Sequence, residues 1–364
     1  MTESNLRRIL GHSVATLPDG CTKDYFVGKS VLVTGAAGSI GSAVALELAE
    51  QGCGRLTLLD HFDHGLLDIF ERVEQAAPET EVIDALGDVR DSACIEKWMR
   101  RTRPDLVIHA AALKHVHLGE RHPVECVRTN LVGVRNAVHA ASTAGVSDFL
   151  LISSDKAASP VCVMGATKRL AELYLMGFFA EQRPDMVVKS VRFGNVIGSQ
   201  GSVTPRFGAQ IAAGGPVTVT HPDMHRFFMT PEDSVRLILS VAALKQETLS
   251  QTGAYYMDMG EPVSVLELAK QMIRDSGKKI SIEYTGLRAG EKLREELFDE
   301  YETAAPCSLE NVYRVVPNRA CDHVTDNDVA ELARYMQTVD DAAARRAVFA
   351  LLDSRLGRAE AAVG

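Results

Sequence analysis

The stretch VLVTGAAGSIGSAVALEL, residues 31–48, decides the fold. An apolar run enters Gly35, Gly38 and Gly41, and an amphipathic run leaves them without a further break. A strand that turns through three glycines into a helix presents backbone amides at the helix N-terminus with no side chain in front of them. That is the arrangement that meets a pyrophosphate, with Ser39 and Ile40 in the same turn. A glycine triplet alone carries little. Strand, triplet and helix in that order point to a dinucleotide-binding unit.

Outward from this unit, short apolar runs at 30–34, 55–60, 81–86, 105–111, 148–154 and 186–193 read as buried strands. Helical stretches lie between them at 39–51, 64–76, 121–143 and 163–181. Strands alternating with helices predict an α/β fold, a doubly wound parallel sheet covered on both faces. After about residue 195 the pattern loosens into loops rich in Gly and Pro, with helices near 231–246 and 264–276. The expected organisation is an N-terminal extension at 1–27 and a dinucleotide-binding domain at 28–195. A smaller substrate-binding lobe follows at 196–325, with segments returning to the first domain, and then a helical tail at 326–364. The amphipathic tail is expected to pack on the lobe or on another subunit.

Composition narrows the function. The chain has 364 residues, 46% hydrophobic and 24% charged, which suits a globular enzyme rather than a disordered protein. A net charge of −9 with interspersed signs offers no basic surface for phosphate backbones, so nucleic acid is not an expected partner. Seven scattered cysteines without a CxxC pair suit reduced thiols rather than a disulfide framework. With no secretory h-region and no membrane-length apolar run, the protein is expected to be cytoplasmic and soluble. Self-association into a homo-oligomer is also expected.

Asp60 closes the second strand, where a carboxylate binds a ribose 2′-hydroxyl and repels a 2′-phosphate. No Arg or Lys follows it in DHFDHG, so NAD is favoured over NADP. Asp88, followed by Val89 at the end of the third strand, could reach the adenine or be a plain loop aspartate.

These residues, together with HAAALKHVHLGE, TNLVGVRNAV, SSDKAASPVCVMGATKR, VRFGNVIGSQGSVTPRF, HRFFMT and GLRAGEKLREEL, carry a resemblance. Over roughly residues 28–300 the chain resembles the extended short-chain dehydrogenase/reductase superfamily. Within it, the chain looks like the bacterial nucleotide-sugar 4,6-dehydratases of polysaccharide biosynthesis. The segment LRRILGHSVATLPDG resembles the piece that joins the membrane part to the catalytic part in long relatives, so the chain looks like a soluble form. Relatives that invert C5 generally carry Tyr in the MGATK position, and those that retain it, acting on UDP-N-acetylglucosamine, carry Met. Met164 therefore implies a retaining UDP-N-acetylglucosamine 4,6-dehydratase, a hydro-lyase with tightly bound NAD.

The resemblance also implies roles. In this reaction hydride leaves C4, a base takes the C5 proton, an acid protonates the departing 6-hydroxyl, and the hydride returns to C6. Asp155 is implied as the acid and Lys156 as the C5 base, each with a pKa expected to shift toward neutrality. Lys168, one turn beyond Met164, is implied to hold the nicotinamide ribose. Ser153 and Ser154 sit where a hydroxyl binds substrate, or else terminate the strand locally. Ser154 and Lys168 are expected to order a water that takes the 4-hydroxyl proton, because a thioether holds none. Ala110 and Ala111 are placed beside the cofactor, and Lys114 in the same pocket with its role open.

Substrate contacts are expected from Asn195, Ser202 and Val203, with Arg226 and Arg288 on the pyrophosphate and Glu291 on the uridine ribose. His109, His115, His117, His122 and Glu120 crowd together without a recognised ligand spacing, so no metal is expected. His109 is read instead as ending the fourth strand. A nucleotide-sugar 4-epimerase is the second reading, although it needs no C5 base or 6-hydroxyl acid. A non-catalytic NAD-binding regulatory protein is the third.

Overall fold

The computed structural model describes residues 22–182, 186–244, 253–318 and 322–358. The segment at 6–20, Cys21 and Cys321 lie outside them.

The glycine-turn unit forms as its sequence dictates. Strand β1, Ser30–Thr34, buries Val31, Leu32 and Val33 completely and runs into helix α1, Ser39–Glu50. Five more strands follow in βα alternation: β2 Arg55–Asp60, β3 Glu81–Leu86, β4 Leu106–His109, β5 Asp148–Ile152 and β6 Val187–Arg192. All pair in parallel, in the spatial order β3-β2-β1-β4-β5-β6. The order reverses between β1 and β4, which opens a crevice at the carboxyl ends of the strands. Helices cover both faces. They include α2, Asp63–Ala76, α3, Ser92–Thr102, α4, Gly133–Ala144, and the long α5, Val163–Gln182.

After β6 the chain leaves the sheet. Strand pairs β7, Asn195–Val196, with β10, Phe228–Met229, and β9, His225–Arg226, with β12, Val263–Ser264, frame a second lobe. A further pair, β8, Val217–Val219, with β13, Ile282–Tyr284, belongs to it, as do helices α6, Val203–Ala212, and α8, Val265–Ser276. Phe207, Val217, Val219, Phe228 and Leu268 form its own apolar core. Helix α7, Pro231–Ala243, and strand β11, Gly253–Met257, return to the main sheet, where β11 pairs in parallel with β6. The hairpin of β14, Glu302–Pro306, and β15, Val312–Pro317, adds an antiparallel edge.

Two expectations change in detail. The single helix expected over 121–143 is broken into Val116–Arg121, Pro123–Val127, a π-turn at Arg128–Val132, and α4. Pro123 has no N–H to donate and so starts a new helix instead of continuing one. In the π-turn, Asn130 uses its side chain as a bracket: Oδ1 accepts from Leu113 N at 2.8 Å, while Nδ2 donates to Leu113 O and Thr167 Oγ1, both at 3.1 Å. The tail helices α9, Asp326–Tyr335, and α10, Asp341–Arg355, pack on the α4–α5 layer, not on the second lobe. Val329, Leu332, Val348 and Leu352 join the core under those helices, and Arg135 clamps Asp326 with two bonds.

A buried ion quartet ties the hairpin to the main core. Arg192, at the end of β6 and fully buried, bonds Glu172 of α5 at 2.6 Å and Glu302 of β14 at 2.8 Å, and Arg169 reaches both carboxylates. Each charge has an opposite partner, which is what makes burial of four ionic side chains tolerable.

Candidate active site

Two adjoining clefts occupy the crevice. One, of about 460 Å³, is lined by Gly35, Gly38, Asp60, Asp88, Val89, Ala110 and Ala111, among others. The other, of about 410 Å³, shares Gly35, Gly38 and Ala110 with it and continues to Ser39, Ile40, Lys114, Ser154, Asp155, Lys156, Met164, Lys168, Asn195 and Ser202. The expected cofactor and catalytic residues therefore come together along one continuous groove.

The glycine turn is tight enough to test its purpose. A Cβ on Gly41 would lie 2.1 Å from Gly35 O, and one on Gly35, at φ +66°, would lie 2.6 Å from Ala111 N. Neither position admits a side chain, because strand, turn and helix pack backbone against backbone there. Asp60 accepts from Ala37 N at 2.9 Å and Phe62 N at 3.0 Å, which fixes the carboxylate and leaves each oxygen a further lone pair. Cradle and carboxylate fit a dinucleotide. Asp88 is already engaged by Arg90. Burial would raise its pKa, but the guanidinium's bonds and charge outweigh that and hold it below the usual value. Arg90 in turn pairs with Glu125 at 2.7 Å. Arg90 lines the Asp60 cleft and was not singled out from the sequence.

The catalytic candidates cluster where β5 ends. Asp155 is buried, with Oδ1 accepting from Ser154 Oγ and from Lys156 Nζ, both at 2.9 Å. Its Oδ2 is buried with no hydrogen-bond partner. A buried carboxylate oxygen without a partner is costly, and the residue that carries it lines the cleft. Ser153 and Ser154 part company: Ser153 Oγ donates to Glu172 at 2.6 Å, while Ser154 caps the turn at Lys156 N and stays coupled to Asp155.

Lys156 departs from expectation. Burial alone would lower its pKa, but the charges of Asp155 at 2.9 Å and Glu295 at 3.4 Å outweigh that and raise it. The shift toward neutrality falls instead on Lys168, whose burial lowers it to about 8 while Nζ donates to Ile152 O at 2.8 Å. Met164 is 3% exposed, packed with Cys126, Cys162 and Val163.

Burial lowers the pKa of Lys114 and, with the nearby Lys114 charge, that of His115. His109 is fully buried at the end of β4, bonded to Thr34 Oγ1 at 3.0 Å and pushed down to about 3 by burial and Lys168. Among the described residues no three His, Cys, Asp or Glu side chains gather as a metal site.

Val203, Arg226, Arg288 and Glu291 are not among the residues lining the two clefts. Val203 opens α6 behind Ser202, whose buried Oγ lacks a partner. Arg226 is turned inward, with Nη1 donating to His225 O and Leu293 O and Nε 3.9 Å from Glu295. Arg288 N donates to Glu291 Oε2 at 3.1 Å. Burial and the Arg288 charge together lower the pKa of Arg206, so Arg206 on α6 is a second cation near Arg288 that sequence reading passed over.

Residues 31–317 match the family described as "Polysaccharide biosynthesis protein". The chain belongs to that family. It is 40% identical over 320 residues to the capsular polysaccharide biosynthesis protein CapD of Staphylococcus aureus, covering 85% of this chain and 53% of that one. The chain thus spans about half the length of the first curated relatives it matches. A UDP-N-acetylglucosamine 4,6-dehydratase (inverting) of Campylobacter jejuni is 31% identical over 326 residues, covering 87% and 91%. A UDP-glucose 4-epimerase of Rickettsia canadensis is 33% identical over 298 residues, covering 80% and 83%. Among solved structures, Pen from Bacillus thuringiensis superposes with a TM-score of 0.72 at 28% identity, covering 82% and 90%. No helix among the described residues is long and apolar enough to cross a membrane.

Proposed function

We propose that this chain catalyses the 4,6-dehydration of a UDP-N-acetylhexosamine, UDP-N-acetylglucosamine above others, with retention at C5. One observation carries the choice: Asp155 and Lys156 lie hydrogen-bonded in the cleft, with Asp155 Oδ2 unpartnered. A 4-epimerase has no use for an acid at C6 and a base at C5, and a protein without activity has no use for an orphaned buried carboxylate oxygen. The relatives include both dehydratases and epimerases, so the reading rests on the pair and not on the kinship.

NAD, held by the Gly35–Gly41 turn, Asp60 and Lys168, would take the C4 hydride and return it to C6. The remaining steps belong to the chain. Lys168, near 8, receives the 4-hydroxyl proton through a water that Ser154 helps to order. The proton on Lys156 Nζ passes to Asp155, turning an ammonium–carboxylate pair into an amine and a carboxylic acid with no change in total charge. The acid then protonates the 6-hydroxyl as it leaves as water, and the amine takes the C5 proton. That leaves an ammonium beside a carboxylate; Lys156 then protonates C5 as the hydride returns, and its amine regains a proton from Lys168 by way of solvent, which restores the resting state. Met164 supplies an apolar wall in place of a phenol. Arg206, Arg288 and the N-terminus of α6 at Ser202 lie on the lobe that would bind the diphosphate, making 196–325 the substrate lobe. The protein would work in the cytoplasm as a homo-oligomer.

Purified protein incubated with UDP-N-acetylglucosamine in D₂O should yield a product lighter by one water and deuterated at C5. UDP-N-acetylgalactosamine of unchanged mass would instead establish the epimerase. Bound NAD without turnover of either sugar would leave the regulatory reading standing.

A further inference from the structure

Glu295 is a buried carboxylate that none of the steps above uses. It is 6% exposed, in an irregular segment of the second half of the chain. Its backbone is pinned on both sides. Leu293 O accepts from His225 N at 2.9 Å, and Leu297 O accepts from Arg192 Nη1 at 3.1 Å. The segment is thereby fixed against β9 and β6, and the side chain between the anchors reaches Lys156 Nζ at 3.4 Å and Arg226 Nε at 3.9 Å. Both separations exceed the 2.7–2.9 Å of a tight charge-assisted bond. Asp155, Glu295, Lys156 and Arg226 make a set of two negative and two positive groups, and one Glu295 oxygen, Oε1, faces both cations.

We propose that Glu295 is a positioning residue for Lys156: shared between Lys156 and Arg226, it governs how readily the Lys156 amine gives up a proton and takes one back. This deepens the dehydratase reading and rests on it for its catalytic meaning. The physical reason is the placement of charge. Asp155 must become a neutral acid for the 6-hydroxyl to leave, and at that moment Lys156 loses its nearest anion. Glu295, from another part of the chain, remains. It stabilises the ammonium that forms when Nζ takes the C5 proton and keeps Nζ protonated, in exchange with solvent, until C5 is protonated again. Arg226 draws on the same oxygen and so limits the effect. The other group facing Lys156 is the Cys162 thiol, pushed up to about 11 by burial, which stays neutral. Glu120, beyond it, is committed to Val163 N and Arg345.

The test reads Lys156 directly, without substrate. Protein as purified is labelled with a small amine-reactive reagent across a pH series, and modification at Lys156 and Lys168 is followed by peptide mass. Glu295→Gln should make Lys156 label at lower pH, at least about threefold faster at pH 8, because an uncharged neighbour no longer favours the ammonium. Arg226→Gln should shift it the opposite way, since Glu295 then serves Lys156 alone. Glu295→Asp keeps the charge and should restore much of the parent behaviour, and Lys168 should be unaffected throughout. Loosening of the fold would move Lys156 and Lys168 together and the Gln variants in the same direction. That result, or an unchanged Lys156 in Glu295→Gln, overturns the proposal. With UDP-N-acetylglucosamine, Glu295→Gln should lose at least about tenfold in dehydration while NADH formation in a single turnover persists. If the parent does not dehydrate the sugar, the dehydratase reading fails while the labelling still decides Glu295.

Discussion

Asp155→Asn separates the acid from the geometry around it. The amide keeps an oxygen where Oδ1 now accepts from Ser154 Oγ and Lys156 Nζ at 2.9 Å, and places an NH₂ where Oδ2 has no partner. Packing should therefore change little, and Lys156 retains Glu295 at 3.4 Å. What disappears is the group that can carry a proton to the 6-hydroxyl. Loss of a positioned general acid costs about a hundred- to ten-thousand-fold, or about 3–5 kcal/mol of barrier. Oxidation at C4 does not use this acid. In single turnover with UDP-N-acetylglucosamine, the variant should show NADH absorbance rising at close to the parent rate and then persisting, with no dehydrated sugar by mass. Dehydration within about threefold of the parent would refute the assignment of Asp155 and, with it, the proton exchange with Lys156.

Met164→Leu conserves volume and hydrophobicity against Cys126 and Cys162, so it should cost less than about 1.5 kcal/mol of stability and keep most of the dehydration rate; loss of NADH formation with sugar binding intact would show that the thioether takes part in the chemistry. Asp60→Ala should lower the NAD content of purified protein, measured by chromatography of released nucleotide, and narrow its preference over NADP; equal affinity for both in the parent would undo the Asp60 assignment. The Glu302 carboxyl is raised by burial but held at about 2 by Arg192 and Arg169, against 4.5 for a free side chain. Its stabilising effect is thus complete above 4.5 and is lost as pH falls from there through about 2. Glu302→Gln should cost about 3–5 kcal/mol near neutral pH, read by denaturant unfolding, and should flatten the acid limb between those values; an unaltered acid limb would place the acid sensitivity elsewhere.

What could be read from the sequence is what short-range chemistry dictates. The glycine turn was legible because a strand, three residues without side chains and a helix are contiguous, and their steric requirement is local. Strands β1 and β2 fall at the expected residues because a buried parallel strand must be apolar on both faces, which leaves a continuous apolar run. Asp155 and Lys156 adjoin each other at a strand end, and the resemblance implied their roles. Other features depend on which distant segments meet. Lys156 was expected to drift toward neutrality, and its pKa rises instead because Asp155 beside it, joined by Glu295 from far along the chain, outweighs the burial. Asn130 reads as an ordinary helix residue until the π-turn aims it at Leu113 and Thr167. Arg226, an exposed-looking cation in HRFFMT, is turned inward by Leu293 and Glu295. The tail's amphipathic pattern announces a face to be buried but not its partner, and the structure gives it to α4 and α5. Local sequence specifies backbone conformation and the polarity of each face; the charge state of a buried side chain is set by neighbours that tertiary folding alone assembles.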